Sequence, residues 1–186
     1  MKAIIINTAV FQLGWLCCIV AGANHLPWLG TLTALLIIAC HVSHAPRPRS
    51  ELLLILSAGA IGAVWDSLLV SAGWLQYPSG TLVAGTAPHW IIALWLLFAT
   101  TLNVSLRWLK HKPLLAAALG AVAGPAAYYN GYRLGGVEIP EFATAMTALA
   151  LGWAVFMPLL MFLSNRLDGM RQQASAPLNT ACDAHV

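Results

Sequence analysis

The chain has 186 residues, of which 60% are hydrophobic and 8% are charged, and its formal net charge is +3. A soluble domain carries about 25% charged residues, and a chain of this length cannot hide so much apolar surface from water by itself. The nine Lys and Arg residues are spread between apolar stretches, which speaks against a nucleic-acid partner. The composition predicts an integral membrane protein whose main partners are membrane lipids.

Six stretches are candidates for membrane-spanning helices, because a span needs about 20 mainly apolar residues. Pro opens four of them, and its missing N–H donor costs nothing in a first turn. The stretches are Ile4 to Gly22, Pro27 to His44, Glu51 to Gly73, Pro88 to Trp108, Pro113 to Gly135 and Pro140 to Asn165. We predict an all-α fold with six transmembrane helices in three hairpins over residues 1–167. The polar residues 168–186 are expected to form a disordered cytoplasmic tail.

The first stretch also has features of a cleaved secretory signal, since Lys2 precedes it and small residues, Ala21 to Ala23, end it. Asn7 and Gln12 favour a retained helix, because polar groups at membrane depth need partners inside a bundle. We therefore count this segment as the first helix of the bundle.

The distribution of basic residues predicts the orientation of the helices. Lys and Arg accumulate in cytoplasmic loops, and with six spans only Arg133 would lie on the outer side. The remaining eight are Lys2, Arg47, Arg49, Arg107, Lys110, Lys112, Arg166 and Arg171. This bias places both termini in the cytoplasm and favours an even number of spans.

Three residues of the outer half are candidates for catalysis, because ionisable groups within a membrane are costly and are usually functional. Asp66 follows the small residues Gly59 and Gly62, which permit close helix packing. His89 begins the fourth helix, and an Asp66–His89 pair would supply an acid and a base. Tyr128, on the fifth helix, is the third candidate. Alternatively, Asp66 only joins helices by hydrogen bonds, and His89 and Tyr128 are interfacial residues.

Four further residues are candidates for binding. Asn7, His41 and Asn103 are predicted to form a polar network in the inner half, with Glu51 as a further member or as the acidic residue that opens helix three and pairs with nearby arginines. Asn130 lies beside Tyr128 in the outer half.

The sequence predicts no metal site and no cofactor. His41 and His44 share a helix face, but this pair lacks the third and fourth ligands of a metal site. Phosphate-binding glycine loops, paired-cysteine motifs and serine nucleophile elbows are absent from the sequence. Any catalysis would therefore depend on few residues.

Several local patterns together resemble a known family. They are Gly14-Trp15, the entry into helix three with Gly62 and Asp66, Pro88-His89-Trp90 with Leu94-Trp95, the stretch Thr101 to Trp108, and Gly124-Pro125 followed by Tyr128 and Gly131. They resemble an uncharacterised family of bacterial inner-membrane proteins, domain of unknown function 2878, over Met1 to about Leu167. The resemblance implies that the protein lies in a bacterial inner membrane and that it is encoded near enzymes that modify membrane fatty acids. It assigns no catalytic residue, because none is established for the family.

Three functions remain open at this stage. The first is a lipid-linked role, as a small intramembrane enzyme or as an accessory subunit that serves a lipid-modifying enzyme or another membrane protein. The second is a small-solute or ion transporter, suggested by Asp66, by Pro125 and Pro158, and by a faint repeat of 62 residues that relates Trp28 to Trp90. The third is a structural membrane subunit whose polar residues only hold helices together.

Overall fold

Six α-helices form the described part of the chain, which in this computed structural model is residues 1–171. They are α1 (Lys2–Ala23), α2 (Pro27–Ser43), α3 (Pro48–Ser71), α4 (His89–Leu102), α5 (Pro113–Arg133) and α6 (Phe142–Arg166). A short 3-10 helix, Arg107–Leu109, lies between α4 and α5. Within residues 1–171 the only β pairing is an isolated bridge between Gln76 and Glu138. The all-α prediction is confirmed.

Three of the helices in the described range are long and apolar enough to cross a membrane, namely α1, α3 and α6. The helices α2 and α4 are apolar but have only 17 and 14 residues. Helix α5 has 21 residues but includes three tyrosines, an asparagine and an arginine. The structure thus supports a membrane protein with three clear spans, and six transmembrane helices are not confirmed.

The fourth helix is shorter than predicted, because it ends at Leu102 instead of Trp108. The polar side chains that follow are bound by other elements. Asn103 donates to Glu51 Oε2 at 2.7 Å, and Ser105 donates to Asn7 Oδ1 at 2.7 Å. The backbone N–H groups of Val104 and Leu106 both donate to the carbonyl of Thr101, which tightens the chain into turns. The segment after Leu102 is therefore a polar connection.

Helix α4 is the centre of the bundle. It packs against α1, α2 and α3 and also touches α6, and nine of its 14 residues are buried. Helix α5 instead packs mainly against α6. Because α5 packs on the rest of the bundle mainly through α6, a space is left between α5 and α1.

The bundle has two distinct ends. Asn7 of α1 contacts Ser105 at one end, and Arg47 and Arg107 both contact Asp168 there. We call this the basic end. At the opposite end, the Gln76–Glu138 bridge joins the α3–α4 and α5–α6 loops.

Glycines permit the two closest helix contacts, as the small-residue patterns predict. Gly62 of α3 lies against the ring of Trp95 on α4, so that a Cβ added there would overlap the indole. Gly124 of α5 lies in the same way against the ring of Trp153 on α6, and Gly120 lies against the backbone carbonyl of Trp153 and the side chain of Met157. Trp95 and Trp153 stack with ring centroids 4.6 Å apart. The pair of indoles therefore joins the α3–α4 unit to the α5–α6 unit.

Gly62→Ala should destabilise the bundle, because the new methyl group must displace the Trp95 ring. We expect a loss of about 1–3 kcal/mol, the usual cost of overpacking, measured by SDS-titrated unfolding in detergent. Gly131→Ala is the matched control, since a Cβ there meets Val137 and Ile19 at 3.5 and 3.6 Å, an ordinary contact. Equal stabilities for the two variants would contradict this account of the packing.

Candidate functional site

A cleft of about 610 Å³ lies between α1 and α5, with α4 and α6 as its floor. Its volume is in the range of small-molecule sites. The α5 wall runs from Leu119 to Gly131, which is about 18 Å of helix. The floor is aromatic, with Trp95, Phe98 and Trp153. Among residues 1–171, none that lines the cleft is Asp, Glu, Lys or Arg.

The carboxylate of Asp66 lies behind the cleft wall and is fully buried. It accepts hydrogen bonds from Tyr128 Oη at 2.6 Å, Trp95 Nε1 at 2.6 Å and Tyr77 Oη at 3.2 Å. All three donors also line the cleft. Neutral donors therefore satisfy a buried carboxylate and join it to the cleft surface.

Tyr77 lies in the α3–α4 loop, and its hydroxyl points inward to Asp66. Burial and the nearby carboxylate raise the pKa of Tyr77 well above its ordinary value. The phenol is neutral at physiological pH and acts there as a hydrogen-bond donor. Of the adjacent tyrosines on α5, only Tyr128 reaches Asp66, while Tyr129 is exposed.

The expected pairing of Asp66 with His89 is absent. His89 Nδ1 lies 2.7 Å from Thr31 Oγ1 on α2, and its ring stacks on Trp28 at 4.1 Å. Asp66 instead meets Trp95, six residues further along α4. At about 100° per residue, these two positions are about 120° apart around the helix. His89 therefore belongs to the α2–α4 contact and not to the Asp66 cluster.

At the basic end, the predicted polar network of His41, Glu51 and Asn103 is present. Glu51 is fully buried. Its Oε1 lies 2.8 Å from His41 Nε2, and its Oε2 accepts from Asn103 Nδ2 at 2.7 Å. Glu51 occupies the first turn of α3 as expected, but the predicted pairing with Arg47 or Arg49 is replaced by His41. Asn7 is not bonded to these three and contacts Thr100 and Ser105 instead.

The network continues into the segment after α6. Asp168 pairs with Lys110 and Arg107, each at 2.9 Å. The N–H of Gly169 donates to Glu51 Oε2 at 3.1 Å, and Arg47 bonds the carbonyl oxygens of Asp168 and Gly169. The segment from 168 was predicted to be disordered, yet these first residues pack on the bundle. The prediction for residues 172–186 lies outside the described residues.

Lys110 is the most enclosed cation of this network, with a side chain 6% exposed. Burial lowers the pKa of Lys110, and the contact with Asp168 opposes that shift. Its ammonium also donates to Asn103 Oδ1 at 2.6 Å and to the Ser164 carbonyl at 3.1 Å. The two ends of the bundle thus differ: the carboxylate at one end has cationic partners, and the carboxylate at the other end has neutral donors only.

Three lining residues matter that the sequence did not single out for chemistry. Trp95 supplies a donor to Asp66. Trp153 lies on the floor, and its Nε1 is buried without a hydrogen-bond partner in residues 1–171. Gln12, the third, lines the cleft from α1. Trp95 lies on a different helix from Asp66, 29 positions along the chain, so no local spacing identified it as a donor.

The comparisons with known proteins give a family. The model of the family described as "Protein of unknown function (DUF2878)" matches residues 4–159. The chain belongs to this family. The match includes the Asp66 cluster and the cleft of this DUF2878 chain and ends within α6, before Asp168. No curated protein and no solved structure matches the chain.

Asp168→Asn should destabilise the basic end, because the amide keeps the volume of the side chain but leaves the buried Lys110 ammonium without an anionic partner. We expect a loss of about 1–3 kcal/mol in SDS-titrated unfolding, as for other hydrogen bonds to charged groups. Glu141→Gln is the control, since Glu141 is exposed and forms no ion pair within residues 1–171. If both variants unfold like the parent, Asp168 does not contribute to stability.

Proposed function

We propose that this protein binds a single-chain membrane lipid in the cleft between α1 and α5, as a small lipid-linked enzyme or as an accessory subunit in membrane fatty-acid modification. The observation that carries the proposal is the cleft itself, an apolar and aromatic groove on a bundle with three clear spans. Its α5 wall of about 18 Å is more than half of the hydrocarbon thickness of a bilayer, about 30 Å. A flexible apolar chain fits such a groove.

The shape of the opening supports a ligand that enters from the bilayer. Leu119, Ala123 and Ala126 on α5 and Thr8 and Gln12 on α1 line the cleft and are exposed. These residues form the two lips of the groove, and both lie on helix faces that lipid would otherwise cover. A lipid chain can therefore enter sideways without crossing the polar ends of the bundle.

A structural role is the second candidate, and the Asp66 cluster favours it. One carboxylate of α3 receives donors from α4, α5 and the α3–α4 loop. Hydrogen bonds of this kind hold membrane helices together without any chemistry. The two functions differ in what the cleft holds, because a purely structural subunit requires no resident lipid.

Ala123→Phe tests lipid binding by filling the groove from its exposed α5 wall. The purified variant should lose co-purifying lipid that native mass spectrometry and lipid extraction detect on the parent protein, with at least a fivefold decrease in occupancy. Val122→Phe is the matched control, since Val122 is 71% exposed and does not line the cleft. Equal lipid on both variants and the parent would reject the proposal.

We further propose that all six helices cross the inner membrane of a bacterium with both termini in the cytoplasm. The basic end carries residues from the α2–α3 and α4–α5 loops and from both chain ends of the described range, whereas Arg133 is the basic residue of the opposite end. This asymmetry is typical of cytoplasmic loops. The short helix α4 is tolerated at the centre of the bundle because neighbouring helices cover it. The short helix α2 instead presents exposed apolar side chains, among them Leu32 and Leu36, on its outward face.

Cysteine labelling in intact cells tests this topology. In a background without native cysteines, Val83→Cys should react with a membrane-impermeant maleimide from outside, and His111→Cys should react only after permeabilisation. Both positions are exposed and lie in the α3–α4 and α4–α5 connections. If only α1, α3 and α6 cross the membrane, both residues lie on one side and must label alike.

A further inference from the structure

The cleft is polar at one level of its wall and carries no charge there. Tyr128 and Tyr77 lie at that level, next to Asn130. The side chain of Asn130 is exposed, lies at the edge of the groove and forms no hydrogen bond with another residue of the described range. Its amide is therefore free to bind a polar group of a ligand at this level.

The hydrogen-bond direction at Tyr128 defines the complementary group. Its phenol donates its only proton to Asp66 Oδ1 at 2.6 Å, so the phenol oxygen has lone pairs left to accept. A ligand atom that meets Tyr128 must therefore be a donor. Asn130 offers both an N–H donor and a carbonyl acceptor. A hydroxyl, which donates and accepts, matches both side chains.

The electrostatics of the wall exclude a charged head group. No Lys, Arg, Asp or Glu of the described part of the chain lines the cleft, so a phosphate would lose its hydration without gaining a counter-charge there. Asp66, directly behind Tyr128, is an acidic group and would repel an anion at close range. An uncharged head group meets neither penalty.

A second polar level of the cleft has fewer free, fixed hydrogen-bonding groups for a ligand hydroxyl. It is formed by Thr8, Gln12, Thr101 and Ser105. Ser105 is bound to Asn7, and Thr101 to the carbonyl of Phe98. Gln12 and Thr8 lie on the exposed lip of α1 and have no charged group behind them that orients them. Tyr128 is instead fixed by a buried carboxylate, and a fixed acceptor loses less entropy when it binds.

We propose that the cleft selects a single-chain lipid with an uncharged hydroxyl head group, whose hydroxyl donates to Tyr128 and bonds Asn130 while its chain extends over the Trp95 and Trp153 floor. This inference rests on the proposed lipid binding and adds the class of ligand. Asp66 acts here as a positioning residue, because it orients the Tyr128 hydroxyl and does not touch the ligand.

The test is a competition with the full-length protein in neutral-lipid nanodiscs. A photoreactive diazirine derivative of a long-chain alcohol labels the cleft, and three unlabelled competitors share one chain: hexadecanol, its methyl ether and hexadecyl phosphate. Hexadecanol should compete about tenfold better than the methyl ether, which has lost the donor. Hexadecyl phosphate should compete no better than the ether.

Variants locate the head group. Tyr128→Phe should abolish the advantage of the alcohol over the ether, whereas the adjacent Tyr129→Phe should retain it. Asp66→Asn should reduce the same ratio. Because the ratio compares two competitors on one sample, a smaller amount of folded protein does not change it, and a purely structural role of Asp66 leaves it intact.

The outcomes separate this inference from the proposed function. Labelling of the parent no stronger than that of Ala123→Phe rejects lipid binding itself. Equal competition by the alcohol and the ether, or stronger competition by the phosphate, leaves lipid binding in place and overturns the hydroxyl assignment. An advantage that survives in Tyr128→Phe but disappears in Gln12→Leu overturns it too, because the head group then lies at the other level.

Discussion

The burial of one carboxylate organises the half of this bundle that lies opposite the basic end. Asp66 is fully enclosed, and a buried charge without partners is among the most costly features of a protein interior. The chain satisfies it with donors from α4, α5 and the loop that precedes α4. Helix α5, which otherwise has few contacts with α3, is thereby held against the α3–α4 unit. The position of α5 in particular depends on the Tyr128 hydrogen bond and on the glycine contacts with Trp153.

The cleft is a consequence of the same arrangement. Helix α5 is attached to α6 by close glycine packing and to α3 by Tyr128, while α1 is attached to α2 and α4. No extensive contact joins α1 to α5, so the aromatic side chains of α4 and α6 are uncovered between them. A soluble protein would close such a gap to bury its apolar walls. In a bilayer the gap costs little, because a lipid chain is as apolar as the side chains that it replaces.

The basic end has the opposite electrostatic design. There the buried Glu51 and the nearly buried Lys110 belong to one continuous network with Asp168, Arg107 and His41. Charges of both signs alternate, so each buried charge has an oppositely charged or polar partner, and the segment after α6 is drawn onto the bundle. The bundle therefore has one charged end and a cleft without charged lining residues in the described range. The polar groups of the cleft that are fixed for a ligand lie near Tyr128.

Much of this could be predicted from the sequence. Composition alone predicts a membrane environment. Pro residues mark the starts of helices, and glycines at intervals of three and four mark the close contacts between them. An isolated Asp in an apolar helix needs hydrogen-bond donors. The residues Asp66, Tyr128, His41 and Asn103 were therefore identifiable, as was the opposition of a polar inner half and an outer half. These features follow from local spacing and from the cost of desolvation, which act before any tertiary contact forms.

Other features were decided only by the tertiary structure. The neighbours of His89 depend on the rotation of α4 about its axis. His89 and Trp95 are about 120° apart around this helix, so His89 contacts Thr31 and Trp28 and not Asp66. The early end of α4 and the binding of Asp168 depend on side chains more than 50 positions apart in the chain. The cleft exists because α1 and α5 do not pack extensively against each other. No local sequence pattern encodes the lack of such packing. The sequence of a short segment determines whether it forms a helix. The contacts of its side chains and the clefts between helices depend on how the segments pack.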